Sequence, residues 1–272
     1  MNSKTPSPSR SILIKVLRSF LLFYAMMILI GLFGSTYLLF PYNGCSYAKD
    51  LSGLDILESS DGTKIATRFW PTNMPDDSFL ILYFHGNGED LGHLDSRMAP
   101  LIERGFCVLA MDYRGYGLSE GTPTENTCYS DALLFYDTAL ERGFPPEKIV
   151  IWGRSVGSGP AVELALQKNA RTLILESPFS SAFRVMTKIP LLPFDRFNNL
   201  SKISQINEPL FVIHGDNDSV IPSWHSEALF KAHTGPKERQ LIPQAGHNDL
   251  WTNNMKSVLD HLIRFVNLNP PL

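Results

Sequence analysis

No Lys, Arg, Asp or Glu occurs between Arg18 and Lys49, and inside that gap Ser19 to Phe40 reads SFLLFYAMMILIGLFGSTYLLF. As a helix rising ~1.5 Å per residue, this stretch covers about 33 Å, close to the ~30 Å hydrocarbon core of a bilayer. Pro41 ends it, and Tyr37 and Tyr42 fall where amphipathic rings suit the far interface. The run is longer than the ~7–15 apolar residues of a signal peptide, and Leu38-Leu39-Phe40 has no small-x-small cleavage site. A lipoprotein signal ending at Cys45 is a weaker rival, because Tyr42-Asn43-Gly44-Cys45 matches only at its last two residues. The sequence therefore predicts one membrane span over 19–40, a basic tail over 1–18 and a linker over 41–53.

This division exposes an asymmetry that the overall net charge of −3 hides. Lys4, Arg10, Lys15 and Arg18 precede the span with no acid, whereas the other 20 basic residues face all 27 acidic ones. Cations before the span predict a cytoplasmic N-terminus and an extracytoplasmic globular part. A globular part with net charge −7 lacks the basic footprint of a nucleic-acid binder. Cys45, Cys107 and Cys128 form no CxxC pair; Cys107 and Cys128 read as buried thiols, with a disulfide between them left open.

Beyond Gly53, short apolar strands alternate with helical patterns. Asp55–Ser60 and Thr63–Trp70 flank the hairpin signal Asp61-Gly62. Strands are predicted at Phe79–Phe84, Phe106–Tyr113, Lys148–Trp152, Thr172–Glu176, Leu210–His214 and Arg239–Ile242. Helices are predicted at Leu94–Arg104, Thr124–Arg142, Gly157–Lys168, Pro222–His233 and Asn253–Val266. Such alternation predicts one α/β domain over 54–268, a mostly parallel sheet covered on both faces.

The pattern GxSxG occurs twice, at Gly153–Gly157 and at Gly117–Gly121. Only Ser155 stands between an apolar strand and a helix, where a sharp turn lifts the hydroxyl above the sheet. Ser119 follows a turn and leads into Gly121-Thr122-Pro123, so it reads as a loop residue. Ser155 is the candidate nucleophile; an ordinary Gly-rich β–α turn is the alternative.

A serine needs a base, and the base needs an acid to orient it. His247, in Gln244-Ala245-Gly246-His247-Asn248-Asp249, is the candidate base. His85 and His214 sit at strand ends and read as loop braces, whereas His93, His225, His233 and His261 read as solvated helix residues. Asp218 is favoured as the acid over Asp216, which sits beside a turn glycine and suits local capping. Val156 supplies one candidate oxyanion amide, and Asn87 in His85-Gly86-Asn87-Gly88 the other, with Gly88 next. No metal constellation or phosphate loop emerges: Gly92-His93-Leu94-Asp95 reads as helix surface, and no Gly-Lys-Ser/Thr follows Gly153.

Taken together, His85–Gly88, Asp112–Ser119, Gly153–Gly157, His214–Asp218 and Gly246-His247 resemble the α/β-hydrolase superfamily. Within it, the chain looks like membrane-anchored abhydrolase-domain serine hydrolases, relatives described as serine aminopeptidase-like or lysophospholipase-like. The resemblance implies a Ser155–Asp218–His247 triad, an oxyanion hole at Asn87 and Val156, and no cofactor. Families of this kind often insert a helical cap after the strand ending at Glu176. Here Ser177–Pro209 carries only scattered apolar residues such as Phe179, Met186, Ile189 and Phe194, which predicts an open hydrophobic cleft near the membrane. The predicted partner is a small acyl substrate, lipid-like, with a peptidase as runner-up and a non-catalytic membrane receptor or scaffold as the alternative from another class. Gly31 and Gly34 are three apart, not the four of GxxxG, so a helix-driven oligomer has little support.

Overall fold

A computed structural model describes residues 10–41, 44–72, 78–252 and 255–269. Lys4 of the basic tail, Tyr42 and the start of the predicted helix at Asn253 lie outside the described residues.

The N-terminal helix is α1 (Arg10–Leu29), continued through a π-helical turn (Ile30–Gly34) into α2 (Ser35–Leu39). It starts nine residues upstream of the uncharged stretch, because Arg10, Lys15 and Arg18 favour helix as readily as their apolar neighbours do. Ile12–Leu39 is long and apolar enough to cross a membrane, with mean hydropathy 2.2. Its C-terminal half packs on the globular domain. Gly31 and Ser35 are buried, and a Cβ on Gly31 would lie 2.7 Å from the Leu192 side chain. Phe40 inserts between Tyr113, Tyr116 and Phe197.

The stretch predicted as a linker is also held down. The Ser46 amide donates to Asp90 at 2.6 Å, the Tyr47 hydroxyl bonds to Asp112, and the Gly117 amide reaches the Gly44 carbonyl at 3.0 Å.

The domain follows as β1 (Leu54–Glu58), β2 (Lys64–Trp70), β3 (Leu80–Phe84), α3 (Asp95–Ile102), β4 (Cys107–Met111) and α4 (Glu125–Glu141). Next come β5 (Ile149–Arg154), α5 (Ser158–Gln167), β6 (Thr172–Glu176), α6 (Asn199–Lys202), β7 (Leu210–Gly215), α7 (Trp224–Ala232), β8 (Lys237–Ile242) and α8 (Met255–Leu268). The eight strands form one sheet in the order β1-β2-β4-β3-β5-β6-β7-β8, antiparallel at β1–β2–β4 and parallel thereafter.

Burial explains why the central strands read as unbroken apolar runs. In β5, Ile149 and Ile151 join a core with α4 and α5, while Val150 and Trp152 join one with α3 and α8. Both faces are covered, as the alternation of strands and helices predicts. Thr124 caps α4, accepting from the Thr127 amide. Cys45, Cys107 and Cys128 are free thiols.

The second GxSxG belongs to a structural loop. Ser119 donates to the Asp112 carbonyl at 3.0 Å and accepts from the Ala66 amide at 2.8 Å, so it staples the loop to β2. Gly117 adopts φ 50°, and a Cβ there would strike Asp112 and Tyr47. Beside it, Arg114 is buried with a bidentate pair to Asp131 at 2.8 Å on each oxygen, and it also meets Asp61 at 2.6 Å. Hydrogen bonding to Arg114 holds the Asp61 carboxyl well below the usual range.

Two histidines correct the sequence reading. His225 and His233, predicted as solvated, are fully buried, because α7 is enclosed by β7, β8 and the 177–206 segment. The His225 Nδ1 accepts from the Ser180 amide at 3.1 Å, which requires the neutral ring. Burial, aided by the charges of His214 and Arg184, pushes its imidazole down to about 4. His93 and His261 are exposed, as predicted.

Arg114→Ala leaves Asp131 buried without its partner and should destabilise the detergent-solubilised chain by about 3–5 kcal/mol in urea unfolding; a loss under about 1 kcal/mol would show that the pair carries little. For His225, the fold favours the neutral ring, so its contribution is complete above the ordinary histidine value and is lost as pH falls from 6.5 toward 4. Between pH 6.5 and 4.5, wild type should lose about 2 kcal/mol more stability than His225→Gln, read from paired melts. Parallel losses would exclude His225 as the acid-sensitive group.

Candidate active site

The site lies where strands β3, β5 and β7, together with the loop after β8, finish on one edge of the parallel sheet. β5 runs two residues further than predicted, through Gly153 and Arg154. Ser155 then turns sharply at φ 54°, and a 3₁₀ turn over Ser155–Gly157 feeds α5. Such a φ is costly for a non-glycine residue and persists only where the surroundings enforce it. Here the flanking glycines enforce it by allowing backbone to touch backbone. A Cβ on Gly157 would sit 2.1 Å from the Phe84 carbonyl oxygen, and one on Gly153 would sit 2.4 Å from that of Gly157.

His247, carried by the loop after β8, brings its Nε2 to 3.0 Å from the Ser155 Oγ. Its Nδ1 lies 2.7 Å from the Asp218 Oδ2. The carboxylate fixes the ring proton on Nδ1 and leaves Nε2 free to accept the serine proton. Asp218 is anchored in turn by the amides of Val220 at 2.9 Å and Ile221 at 2.8 Å. Burial would raise its carboxyl. Hydrogen bonds from His214, His247 and the Ile221 amide outweigh that effect and hold it well below the usual carboxylate range. Asp216 instead accepts from the Gln244 amide at 2.6 Å, so rather than capping its own turn it ties the loop after β7 to the loop after β8.

The braces fall where predicted. His214 meets the Ile221 carbonyl at 2.7 Å and Asp218 at 3.3 Å. His85 pairs with Asp112 at 3.3 Å, and that carboxylate overcomes burial to raise its pKa. The loop bearing Asn87 is held from behind, since Tyr113 donates to the His85 carbonyl at 2.7 Å and Tyr116 to that of Asn87 at 3.0 Å. Asn87 and Val156 both line the cleft beside Ser155 and His247.

Sequence reading missed what links these loops. Arg154, one residue before Ser155, donates to Glu89 at 2.7 Å and to Asn248 at 2.7 Å, and its Nε lies 3.3 Å from Glu176. Glu89 also accepts from the Gly86 amide at 2.9 Å, so one guanidinium joins the Asn87 loop, the serine turn and the histidine loop. Glu176 further collects Arg97 at 2.7 Å, the Trp152 indole at 3.2 Å and the Trp251 indole at 3.0 Å. A charged residue closing each of two apolar strands, at Arg154 and Glu176, was the available signal.

The cleft has a volume of about 660 Å³. One wall is Phe179, Phe183 and Met186 from the segment after β6, and another is Leu38 and Leu39 from the N-terminal helix. Among the described residues no cluster of His, Cys, Asp and Glu could hold a metal ion.

Residues 76–201 match the family model described as serine aminopeptidase, S33. The human alpha/beta hydrolase domain-containing protein 17B is 38% identical over 210 residues, covering 75% of this chain and 72% of that protein. The Caenorhabditis elegans alpha/beta hydrolase domain-containing protein aho-3 is 32% identical over 208 residues, covering 73% of this chain and 63% of its own length. Among solved structures, an esterase from Pyrococcus furiosus superposes with TM-score 0.67 at 19% identity, covering 83% of this chain and 94% of that one. Est1E from Butyrivibrio proteoclasticus, solved with ferulic acid bound, gives 0.65 at 20% identity, covering 79% of this chain and 98% of that one. Fold, order of motifs and sequence identity over most of both chains agree: the protein belongs to the family of alpha/beta hydrolase domain-containing proteins.

Proposed function

We propose that this chain is a membrane-anchored serine hydrolase that cleaves an ester, thioester or amide through an acyl-enzyme, with Ser155 as nucleophile, His247 as base and Asp218 as the orienting acid. The observation that carries this reading is the His247 ring, bonded at once to Ser155 and Asp218 at 3.0 and 2.7 Å.

In this reading the Ser155 Oγ attacks the acyl carbonyl and its proton passes to the His247 Nε2. Asp218 stays ionised and stabilises the imidazolium. Negative charge on the former carbonyl oxygen is met by the amides of Val156 and Asn87. His247 then returns the proton to the departing alcohol, thiol or amine as the bond to the acyl carbon breaks. Water repeats the sequence on the acyl-enzyme, releasing a carboxylic acid and restoring Ser155.

The substrate class follows from the cleft. Its Leu, Phe and Met walls suit an acyl chain, so a small lipid-like acyl compound is the favoured substrate. The peptidase reading draws on the description of the family model. An aminopeptidase needs an acidic group for the substrate's ammonium, and Glu89, the carboxylate lining this cleft, is already neutralised by Arg154. The anchor is the 19–40 stretch, with the N-terminus cytoplasmic and the 54–268 domain on the far side. Protease added to intact cells should therefore cut the domain; a fully protected domain would reverse the orientation.

A fluorophosphonate probe should label wild type and not Ser155→Ala, and labelling that persists in the mutant would overturn the assignment. Asp218→Asn should keep the cleft intact yet lower kcat by a factor on the order of 10³–10⁴, since the wrong ring nitrogen would then carry the proton. p-Nitrophenyl esters should be turned over in preference to aminoacyl-nitroanilides; the reverse preference would favour the peptidase.

A further inference from the structure

The anchor does more than tether. Leu38 and Leu39 line the same cleft as Ser155 and His247, so the last turn of the N-terminal helix is a wall of the candidate active site. That turn is fixed in place: Phe40 is buried against Tyr113, Tyr116 and Phe197, and Ser35 is buried as well.

Contacts with the domain continue far down the helix. The Arg196 guanidinium reaches the Leu32 carbonyl at 3.4 Å, Gly31 lies against Leu192 and Phe194, and the Tyr24 hydroxyl donates to the Leu191 carbonyl at 3.2 Å. From Phe40 back to Tyr24 is about 24 Å of helix at ~1.5 Å per residue. The hydrocarbon core is only ~30 Å thick. A helix that crosses the bilayer therefore carries the Ile189–Phe194 stretch into the hydrocarbon beside it.

The side chains of that stretch fit such a position. Met186, Ile189 and Leu191 are 82%, 63% and 42% exposed, an apolar rim that water disfavours and lipid accepts. Lys188, the cation within it, has a stem long enough to reach the headgroups. Met186 belongs both to this rim and to the lining of the cleft that Leu38 shares.

Building on the serine hydrolase reading, we infer that the cleft opens sideways into the adjoining leaflet and takes an acyl chain already dissolved there, with Leu38 and Leu39 setting the chain length accepted. The substrate class is then an ester or thioester whose acyl tail resides in the bilayer. The tail passes between the anchor and the 183–192 segment to Ser155 without entering water.

The test uses the full chain in phosphatidylcholine vesicles, with p-nitrophenyl acetate and p-nitrophenyl decanoate as substrates. Leu39→Trp, which fills the cleft, should lower the decanoate-to-acetate ratio of kcat/KM about tenfold, as expected when about two methylenes lose their burial. Leu39→Ala, which widens the cleft, should raise that ratio. Leu22→Trp, on the outward face of the same helix at 72% exposure, should keep the ratio of wild type. Fluorophosphonate labelling of Ser155 reports folding in each variant. Unchanged ratios in both Leu39 variants, with hydrolysis still dependent on Ser155, would overturn the inference and leave the hydrolase reading standing. Absence of Ser155-dependent hydrolysis and labelling in wild type would remove that reading and this inference with it.

Discussion

One backbone contact governs the site: Gly157 lies so close to the Phe84 carbonyl that no side chain fits between them. That contact fixes the turn after β5 against the end of β3, and it forces Ser155 to φ 54° with its hydroxyl lifted off the sheet. The parallel register then does the rest. β5 lies beside β3 on one side and is followed across the sheet by β6, β7 and β8, so the loops bearing Asn87, Ser155, Asp218 and His247 emerge at one edge. Residues 68 positions apart, from Asn87 to Ser155, and 92 apart, from Ser155 to His247, thereby meet in one cleft.

Holding such loops to hydrogen-bonding precision falls to a buried charge network. Arg97, Arg154, Glu89 and Glu176 are drawn largely out of water, at a desolvation cost that apolar residues would avoid. The cost is offset by hydrogen bonds that occupy most of their polar atoms, and by a geometric return. Arg154 touches Glu89 in the Asn87 loop and Asn248 in the His247 loop, so a shift in either loop is resisted by the other. Glu89 shows the balance in its titration: burial raises its carboxyl, and Arg154 and Arg97 more than reverse this. A network of this kind adds rigidity where the chemistry needs it and little where it does not.

Much of the fold was legible because its signals are local. Apolar runs bounded by turn residues give the strands, and β6 at Thr172–Glu176 matches its predicted limits. The different settings of the two GxSxG patterns were legible too, because a strand before and a helix after Ser155 are sequence-adjacent facts, and Ser119 proved a loop staple. What escaped was non-local. The burial of His225 and His233 depends on a segment 20 to 50 residues upstream folding over α7, and helical spacing alone carries no trace of that. The docking of the N-terminal helix escaped for the same reason: a stretch apolar all round says that it avoids water, and not which of its faces docks on protein. Gly31 marks that face only once Leu192 and Phe194 are seen against it.

The central claim is that acyl transfer runs through Ser155 under the control of His247. Rapid mixing of the full chain with a p-nitrophenyl ester, followed by acid quenching and peptide mass spectrometry, tests it most directly. The account predicts a burst of nitrophenol approaching one per chain and an acyl group on the peptide carrying Ser155, both lost in His247→Gln. An acyl group found on Ser119 or Cys45 instead, or turnover with no acyl-enzyme and no dependence on His247, would contradict it.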